Sequence, residues 1–179
     1  KLLKMSLTTL NIKEPGLNIL PPGVERYFVK GGGLTGIQIL PDDEIEIINN
    51  EGNQLCEISV FNKDGKSDLA ILGLKEIKEN SEIKKILFKK DETSLQALLQ
   101  LKKRNLNIEK SKSSLIFDKD TKAGEIIKIK SKDKCYCIFA APGEKMVVHE
   151  QNPSTELTVI VRRSVIKKDK EFSLVPDPI

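Results

Sequence analysis

Short apolar runs divided by turn residues are the feature that most constrains this chain. Between residues 37 and 61, three such runs are separated by Pro41-Asp42-Asp43 and by a polar stretch at 49–53. Runs of this length between Gly, Pro, Asn and Asp residues are typical of strands. Further strand candidates are 24–29, 114–117, 125–130, 135–140, 145–149 and 157–163. The pattern predicts a mainly β fold, either a distorted antiparallel barrel or a two-sheet sandwich.

One central segment has a helical pattern instead. Thr93-Ser94 precede a stripe of leucines, a basic turn at 102–104 follows it, and Asn105 is a stop signal. The leucines fall on one helical face, and the cap and basic end agree with that assignment. They are Leu95, Leu98, Leu99 and Leu101. Segment 81–87 fits either a short helix or a strand, so we predict one helical insertion at about 80–106.

The breaker cluster at 20–23 and the proline-rich end divide the chain into three parts. A length of 179 residues is enough for one domain with a real core. We predict an N-terminal extension at 1–23, a single β-rich domain at 24–165, and a C-terminal tail or linker at 166–179.

Two polar stretches between strand candidates are predicted to be turns. Residues 45–62 contain two apolar runs around Gly52 and Asn53, which predicts a β-hairpin. The glycine run at 31–33 leads to another strand candidate at 37–40. A phosphate-binding loop leads into a helix, so a wide turn or bulge is the better interpretation.

Charge and hydropathy exclude several classes of partner. The net charge is +4, with 30 basic and 26 acidic side chains interleaved, and aromatic residues make up only 4%. This composition predicts no nucleic-acid partner. No apolar run reaches the roughly 18 to 20 residues of a membrane helix, so we expect no membrane association. Three cysteines without a secretory pattern favour reduced thiols and a cytoplasmic location.

The chain has one histidine, His149, which limits the available chemistry. A Ser-His-Asp triad would have to use it. Cys135 and Cys137 would share one face of a strand, and together with Cys56 and His149 they are numerically a complete zinc set. The same alternation is typical of a buried strand, and free cysteine is often buried. Core thiols and a metal site made by Cys135, Cys137 and His149 are therefore both kept as hypotheses.

Several short segments together resemble the urea-carboxylase-associated family, a β-rich domain found N-terminal to aminomethyltransferase-like proteins of the glycine-cleavage T type. The segments lie at both ends of the chain. They are Pro21-Pro22-Gly23, the strand through Phe28, Gly52-Asn53-Gln54, Glu57, Phe61-Asn62, Ala140-Ala141-Pro142 and residues 152–159.

The resemblance implies an inherited fold more than an inherited reaction. Enzymatic members of the family carry a His-Asp pair and a cysteine before the closing proline, associated with metal binding and with removing nitrogen from guanidine-type compounds. Ala141 stands at that cysteine position, and the chain has no His-Asp pair. We therefore predict no catalytic residues and no cofactor in this domain. The predicted function is a non-catalytic accessory or interaction domain of a larger aminomethyltransferase-like protein in folate-dependent one-carbon or amine metabolism.

In that interpretation tetrahydrofolate would bind the larger protein outside these residues. The partners would be other domains of the same polypeptide or further copies in a homo-oligomer. The alternative is a small-molecule-binding or deiminase/amidohydrolase-like domain that acts on guanidine- or urea-type compounds. Its ligand-binding candidates are Gln54, Glu57 and Asn62. A third hypothesis is a stand-alone domain stabilised by zinc.

Overall fold

The computed structural model describes residues 20–76, 82–143 and 153–164. These ranges contain eight strands, two α-helices and a short 3₁₀ helix. The strands are β1 Val24–Val29, β2 Leu34–Ile39, β3 Glu44–Asn49, β4 Cys56–Phe61, β5 Ser114–Phe117, β6 Glu125–Lys130, β7 Cys135–Ala140 and β8 Leu157–Arg162. The helices are the 3₁₀ helix Leu69–Leu72, α1 Glu82–Leu87 and α2 Glu92–Lys103.

The strands form two antiparallel four-stranded sheets. Sheet A has the order β1-β8-β3-β6, and sheet B has the order β2-β7-β4-β5. The prediction of a mainly β fold is confirmed, in its sandwich form and not as a closed barrel. Both helices lie in the connection between β4 and β5.

The molecule has three layers and two apolar cores. The first core lies between the sheets, where alternate side chains of each strand point inward. It includes Ile45, Ile47, Val159 and Val161 from sheet A, and Ile58, Val60, Cys137 and Phe139 from sheet B. The second core lies between the outer face of sheet B and the two helices, with Phe61, Ile83, Leu87, Leu101 and Ile138 among its buried members. Sheet B is therefore packed on both faces.

Most strand boundaries agree with the sequence patterns. The predictions at 24–29, 114–117, 125–130 and 135–140 are confirmed, β8 ends one residue before the predicted 163, and β2 begins at Leu34. The ambiguous segment at 81–87 contains helix α1. The strand candidate at 145–149 lies outside the described residues.

The predicted hairpin at 45–62 is wrong. Strand β3 pairs with β6 and β8 in sheet A, whereas β4 pairs with β5 and β7 in sheet B. The polar stretch after Asn49 carries the chain from one sheet to the other. The three apolar runs between 37 and 61 are therefore not neighbouring strands of one sheet, since β2, β3 and β4 alternate between the sheets. Apolar spacing defines strands, but it does not say which strands pair.

Helix α2 lies in the predicted insertion, but the predicted cap at Thr93-Ser94 is wrong, since both residues lie within the helix, and the leucine stripe is only partly buried. The helix begins at Glu92, and the Asp91 side chain caps it by accepting a hydrogen bond from the Ser94 amide at 2.8 Å. Leu101 is buried, yet Leu95 and Leu99 are 50% and 60% exposed. A helix turns by about 100° per residue, so these two leucines lie to one side of the face that packs on sheet B.

Neither α1 nor α2, the α-helices of the described ranges, has the length and apolar character needed to cross a membrane.

Candidate functional site

Four loops meet at one end of the sandwich. They connect β1 to β2, β3 to β4, β5 to β6, and β7 to β8, the last of which is described only at 141–143 and 153–156. The strand registers place these connections together, because the end of β3 lies opposite the start of β6 and of β8, and the end of β7 lies opposite the start of β2 and of β4. We refer to this region as the loop end.

A polar cleft of about 540 Å³ opens at the loop end. Residues from three of the four connections line it: Glu51, Gly52, Asn53, Gln54, Leu55, Lys119, Pro142, Pro153, Ser154 and Thr155. Three of the segments that carry the family resemblance meet here, namely the Gly-Asn-Gln turn, the segment ending in Pro142, and the segment from 153 onward. Sequence reasoning grouped them only by resemblance, and the structure places them in contact.

The Gln54 side chain joins these three segments. Its Nε2 donates hydrogen bonds to the carbonyl oxygens of Pro142 and Leu55, each at 2.9 Å, and its Oε1 accepts one from the Thr155 amide at 2.8 Å. The residue is buried. Its amide therefore satisfies backbone groups of loops that are distant in sequence, and it fixes the floor of the cleft.

Backbone packing sets the shape of the cleft. Gly52 has φ of +77°, and a Cβ there would lie 2.6 Å from the Ala123 amide nitrogen. Asn53 also has positive φ, at 55°, and its amide donates to the Thr121 carbonyl at 2.7 Å. At position 52, only glycine can combine a positive φ with so close an approach to the backbone of Ala123. Gly52 is therefore required by the fold of the loop end.

The lining can bind small polar molecules. It contains the Glu51 carboxylate, the Lys119 ammonium and the hydroxyls of Ser154 and Thr155. The Thr155 Oγ1 atom is buried and has no hydrogen-bond partner within the described residues. A buried hydroxyl without a partner is uncommon in folded proteins.

Glu57 is not part of this cleft. Its side chain points to the helical side of sheet B, where Oε2 accepts a hydrogen bond from the Glu82 amide at 2.9 Å. Glu82 is the first residue of α1, so the buried carboxylate lies at the positive end of that helix. Glu57 thereby fastens α1 to the sheet.

Asn62 lies at the opposite end of β4 and builds a tight turn. Its Oδ1 accepts hydrogen bonds from the amides of Asp64 and Lys66, each at 3.0 Å. It borders a separate cleft of about 230 Å³, which Arg104 and Cys135 also line. Gln54, Glu57 and Asn62 therefore lie in three different places, and the structure does not bring them together as one site.

The three cysteines are reduced and buried. Cys135 and Cys137 share the inward face of β7, as predicted, with their sulfur atoms 3.7 Å apart. The hydrogen bond from Cys137 lowers the pKa of Cys135, and the same contact together with burial raises the pKa of Cys137. Burial also raises the pKa of Cys56.

The third proposed metal ligand, His149, lies outside the described residues. In the ranges 20–76, 82–143 and 153–164, no three His, Cys, Asp or Glu side chains are grouped closely enough to hold a metal ion. The metal hypothesis for Cys135, Cys137 and His149 stays a prediction.

Sequence reasoning missed a buried ion cluster at the end opposite the cleft. Arg163 contacts the Asp43 carboxylate at 2.7 Å and the Glu25 carboxylate at 2.6 Å. Burial disfavours the charged guanidinium, but hydrogen bonds to Glu25 and Asp43 outweigh it and raise the pKa of Arg163. Asp43 belongs to the turn residues that precede β3, and its Oδ2 also accepts a hydrogen bond from the Leu40 amide at 2.8 Å. Its partner Arg163 is 120 residues away, so the sequence around Asp43 gives no sign of the ion pair.

Comparison with known proteins relates the chain to part of a longer protein. No protein-family model matches it. It is similar to the trimethylamine-oxide aldolase of Ruegeria pomeroyi, with 35% identity over 169 residues. The match covers 94% of this chain and 21% of the relative, so the chain spans about a fifth of that relative's length. The resemblance to the urea-carboxylase-associated family stays a prediction beside this similarity.

Proposed function

We propose that this chain is a non-catalytic accessory domain of a larger protein in amine and one-carbon metabolism. The observation that carries the proposal is the extent of the similarity: nearly the whole chain aligns with about a fifth of trimethylamine-oxide aldolase. A sandwich of this size is then one domain among several.

The hydrogen bonding of the described polar residues supports an architectural role. Gln54 joins three loop segments, Glu57 caps α1, and Asn62 builds a turn. Each polar side chain proposed for ligand binding thus makes hydrogen bonds that the fold itself uses. The three thiols are buried and lie in the core between the sheets.

The relative's reaction fits the predicted area of metabolism. For the parent protein we propose cleavage of trimethylamine oxide, which has the same atoms as dimethylamine plus formaldehyde, so that the step needs no further reactant. That reaction releases a one-carbon unit from an amine, which is the chemistry predicted for an aminomethyltransferase-like parent protein. Tetrahydrofolate is the acceptor we propose for the parent, outside this domain. We also propose a cytoplasmic location and other domains of the same polypeptide as partners.

The reading frame is the first test. We expect it to continue beyond these 179 residues and to encode a protein several times longer. A frame confined to this chain would overturn the accessory proposal.

The second test measures catalysis by the full-length protein. We expect release of formaldehyde from trimethylamine oxide. The variants Lys119→Ala and Ser154→Ala, which change the cleft lining, should alter kcat/KM less than about twofold, as should the matched exposed variant Asp120→Ala. Loss of a group that acts as a general acid or base typically costs about 10²–10⁴-fold. Such a loss in either cleft variant, with an unchanged melting temperature, would indicate that the reaction takes place in this domain and would contradict the non-catalytic proposal.

The polar cleft favours one alternative, a small-molecule-binding domain for guanidine-, urea- or amine-type compounds. Its volume of about 540 Å³ is within the usual range for ligand pockets. Thermal-shift measurements with guanidines, urea, trimethylamine oxide and folates would test it. A ligand-dependent shift that Lys119→Ala or Ser154→Ala abolishes would support the alternative, and no shift with any compound would count against it.

A further inference from the structure

The two sheets have outer faces of different kinds. Helix α1 packs against β4 and β7, and α2 packs against α1 and adds Leu101 to the same core, so the helices cover the centre of the outer face of sheet B. At its edge, Leu115 of β5 is 39% exposed. On sheet A, the outward side chains of Phe28 and Ile126 are 53% and 47% exposed, so nothing within the described residues covers them. An uncovered sheet face that carries large apolar side chains is typical of an interaction surface.

The strand registers place three of the apolar side chains in one row, together with the buried Thr158. Phe28 pairs with Thr158, Thr158 with Ile48, and Ile48 with Ile126, so the row crosses all four strands of sheet A. The next row contains Ile160 between Arg26 and Glu46. We call the outward side chains of these strands the open face. Their apolar members are Val24, Phe28, Ile48, Ile126 and Ile160.

The charges of the open face are unbalanced. It carries four cations and two carboxylates: Arg26, Lys128, Lys130 and Arg162, with Glu44 and Glu46. Glu46 contacts both Arg162, at 2.6 Å, and Lys128, at 3.3 Å. A surface that matches the open face would therefore be an apolar strip bordered by acidic side chains.

The size of the open face fits a contact between domains. Four strands about 4.8 Å apart and six residues of about 3.4 Å give roughly 400 Å² on each side. The two sides together are about 800 Å², within the roughly 600–1,500 Å² of interfaces between domains of one chain. Stable contacts between separate chains usually bury about 1,200–2,000 Å². The excess of cations also disfavours two copies of this face packing together.

The described chain begins and ends at the same end of sheet A. The first and last described strands, β1 and β8, are neighbours in sheet A, and the Arg163 amide donates to the Gly23 carbonyl at 2.7 Å. The segments before residue 20 and after residue 164 therefore join the domain at the same end of sheet A. A domain attached on either side is held next to the open face, which raises its effective concentration there.

We infer that the open face of sheet A is the docking surface for an adjoining domain of the same polypeptide, through an apolar strip bordered by acidic side chains. This inference rests on the proposed function, because it needs a longer polypeptide. It goes beyond it by assigning the surface.

Thiol labelling of the full-length protein tests the inference. Ile126→Cys places a thiol on the open face, and Leu99→Cys places one at a site of similar or greater exposure on the helical side. We expect a maleimide to label the open-face thiol at least tenfold more slowly than the helical one. The native thiols of this domain are buried and should stay unlabelled, which reports that each variant is folded.

The outcomes separate the inference from the proposed function. A reading frame confined to these 179 residues overturns both. A longer protein in which Ile126→Cys is labelled as fast as Leu99→Cys overturns only the docking surface. Protection that disappears when the protein is diluted overturns it as well, because the face would then be covered by a second copy. Protection that is independent of concentration supports the inference, and Ile126→Lys should then loosen the contact and speed labelling of a Phe28→Cys thiol.

Discussion

Sheets A and B share one apolar core, yet they are built for different surroundings. Strand β4 at the centre of sheet B is buried along its whole length, whereas β3 at the centre of sheet A alternates between buried and more exposed positions. Their sequences show the difference, Cys-Glu-Ile-Ser-Val-Phe against Glu-Ile-Glu-Ile-Ile-Asn. The comparison teaches that a sheet's outer layer is encoded in its own strands, because a face that a helix covers needs apolar or hydrogen-bonded residues.

The largest effect should come from the ion cluster that holds the end of sheet A. Arg163→Met leaves the fully buried Asp43 carboxylate without its cation. Breaking a buried ion pair from one side typically costs about 3–5 kcal/mol, so we expect a loss of that size in the free energy of unfolding. Denaturant unfolding would measure it. The control is Lys130→Met, whose exposed pair with Asp42 should contribute less than about 1 kcal/mol. Equal losses in the two variants would contradict this account.

The helical cover of sheet B gives the next effect. Leu87→Ala empties a fully buried position between α1 and sheet B, and Leu→Ala changes of this kind cost about 2–5 kcal/mol. Ile126→Ala on the open face of sheet A should cost about 0.5 kcal/mol or less by the same unfolding measurement. The measurement uses these 179 residues without an adjoining domain, so a large loss for Ile126→Ala would show that the domain itself covers the open face.

The attachment of α1 to sheet B should depend on Glu57. Glu57→Gln keeps the size of the side chain but removes the charge that faces the first amide of the helix. We expect a loss of about 1–2 kcal/mol, since hydrogen bonds to charged groups and helix-end charges contribute at this level. Glu92→Gln, in the exposed first turn of α2, is the control and should change the unfolding free energy by less than about 0.5 kcal/mol.

The smallest effect concerns the pH dependence of stability, to which sheet B contributes through its buried cysteines. All three cysteines lie on the inward face of sheet B. The folded pKa of Cys56 is raised above its unfolded value, so its contribution to stability is complete below the ordinary thiol pKa and falls as pH rises toward the raised one. With an unfolded pKa near 8.5, about 1.4 kcal/mol is lost between roughly pH 7.5 and 9.5. Cys56→Ala should remove that part of the pH dependence.

Val60→Ala is the matched control for the pH measurement. It shortens a buried side chain on the same face of β4 without removing a titratable group. It should lower stability at every pH and leave the slope unchanged. We propose that folded Cys56 stays protonated over this pH range. If stability depends on pH with the same slope in Cys56→Ala and Val60→Ala, that proposal is wrong.

Sequence reasoning was accurate for local structure and inaccurate for pairing. Strands such as β5, β6 and β7 were placed to the residue, because turn residues and alternation are local signals. The pairing of β3 with β8 was not predictable, since it joins residues more than a hundred positions apart. A polar stretch such as 49–53 looks the same whether it closes a hairpin or crosses between sheets.

The candidate site was predictable only in part. Gln54 was singled out from the sequence, but its contacts with Pro142 and Thr155 depend on the tertiary fold. Glu57 and Asn62 were grouped with it because all three belong to the pattern of the family resemblance, but five residues of strand keep Glu57 and Asn62 about 16 Å apart. The ion pairs of Arg163 were missed, because a guanidinium at the end of a strand gives no sign of a distant carboxylate.

The position of β8 has a consequence for how this domain is made. Of the described strands, the last to leave the ribosome is a central one, which hydrogen-bonds to β1 on one side and to β3 on the other. Until it arrives, β1 has no neighbour in sheet A, and the Ile45 and Ile47 side chains lack their cover from Val159 and Val161. Contacts between such distant parts of a chain slow folding and expose apolar surface meanwhile. We therefore expect the nascent domain to need chaperone protection until residue 163 has emerged.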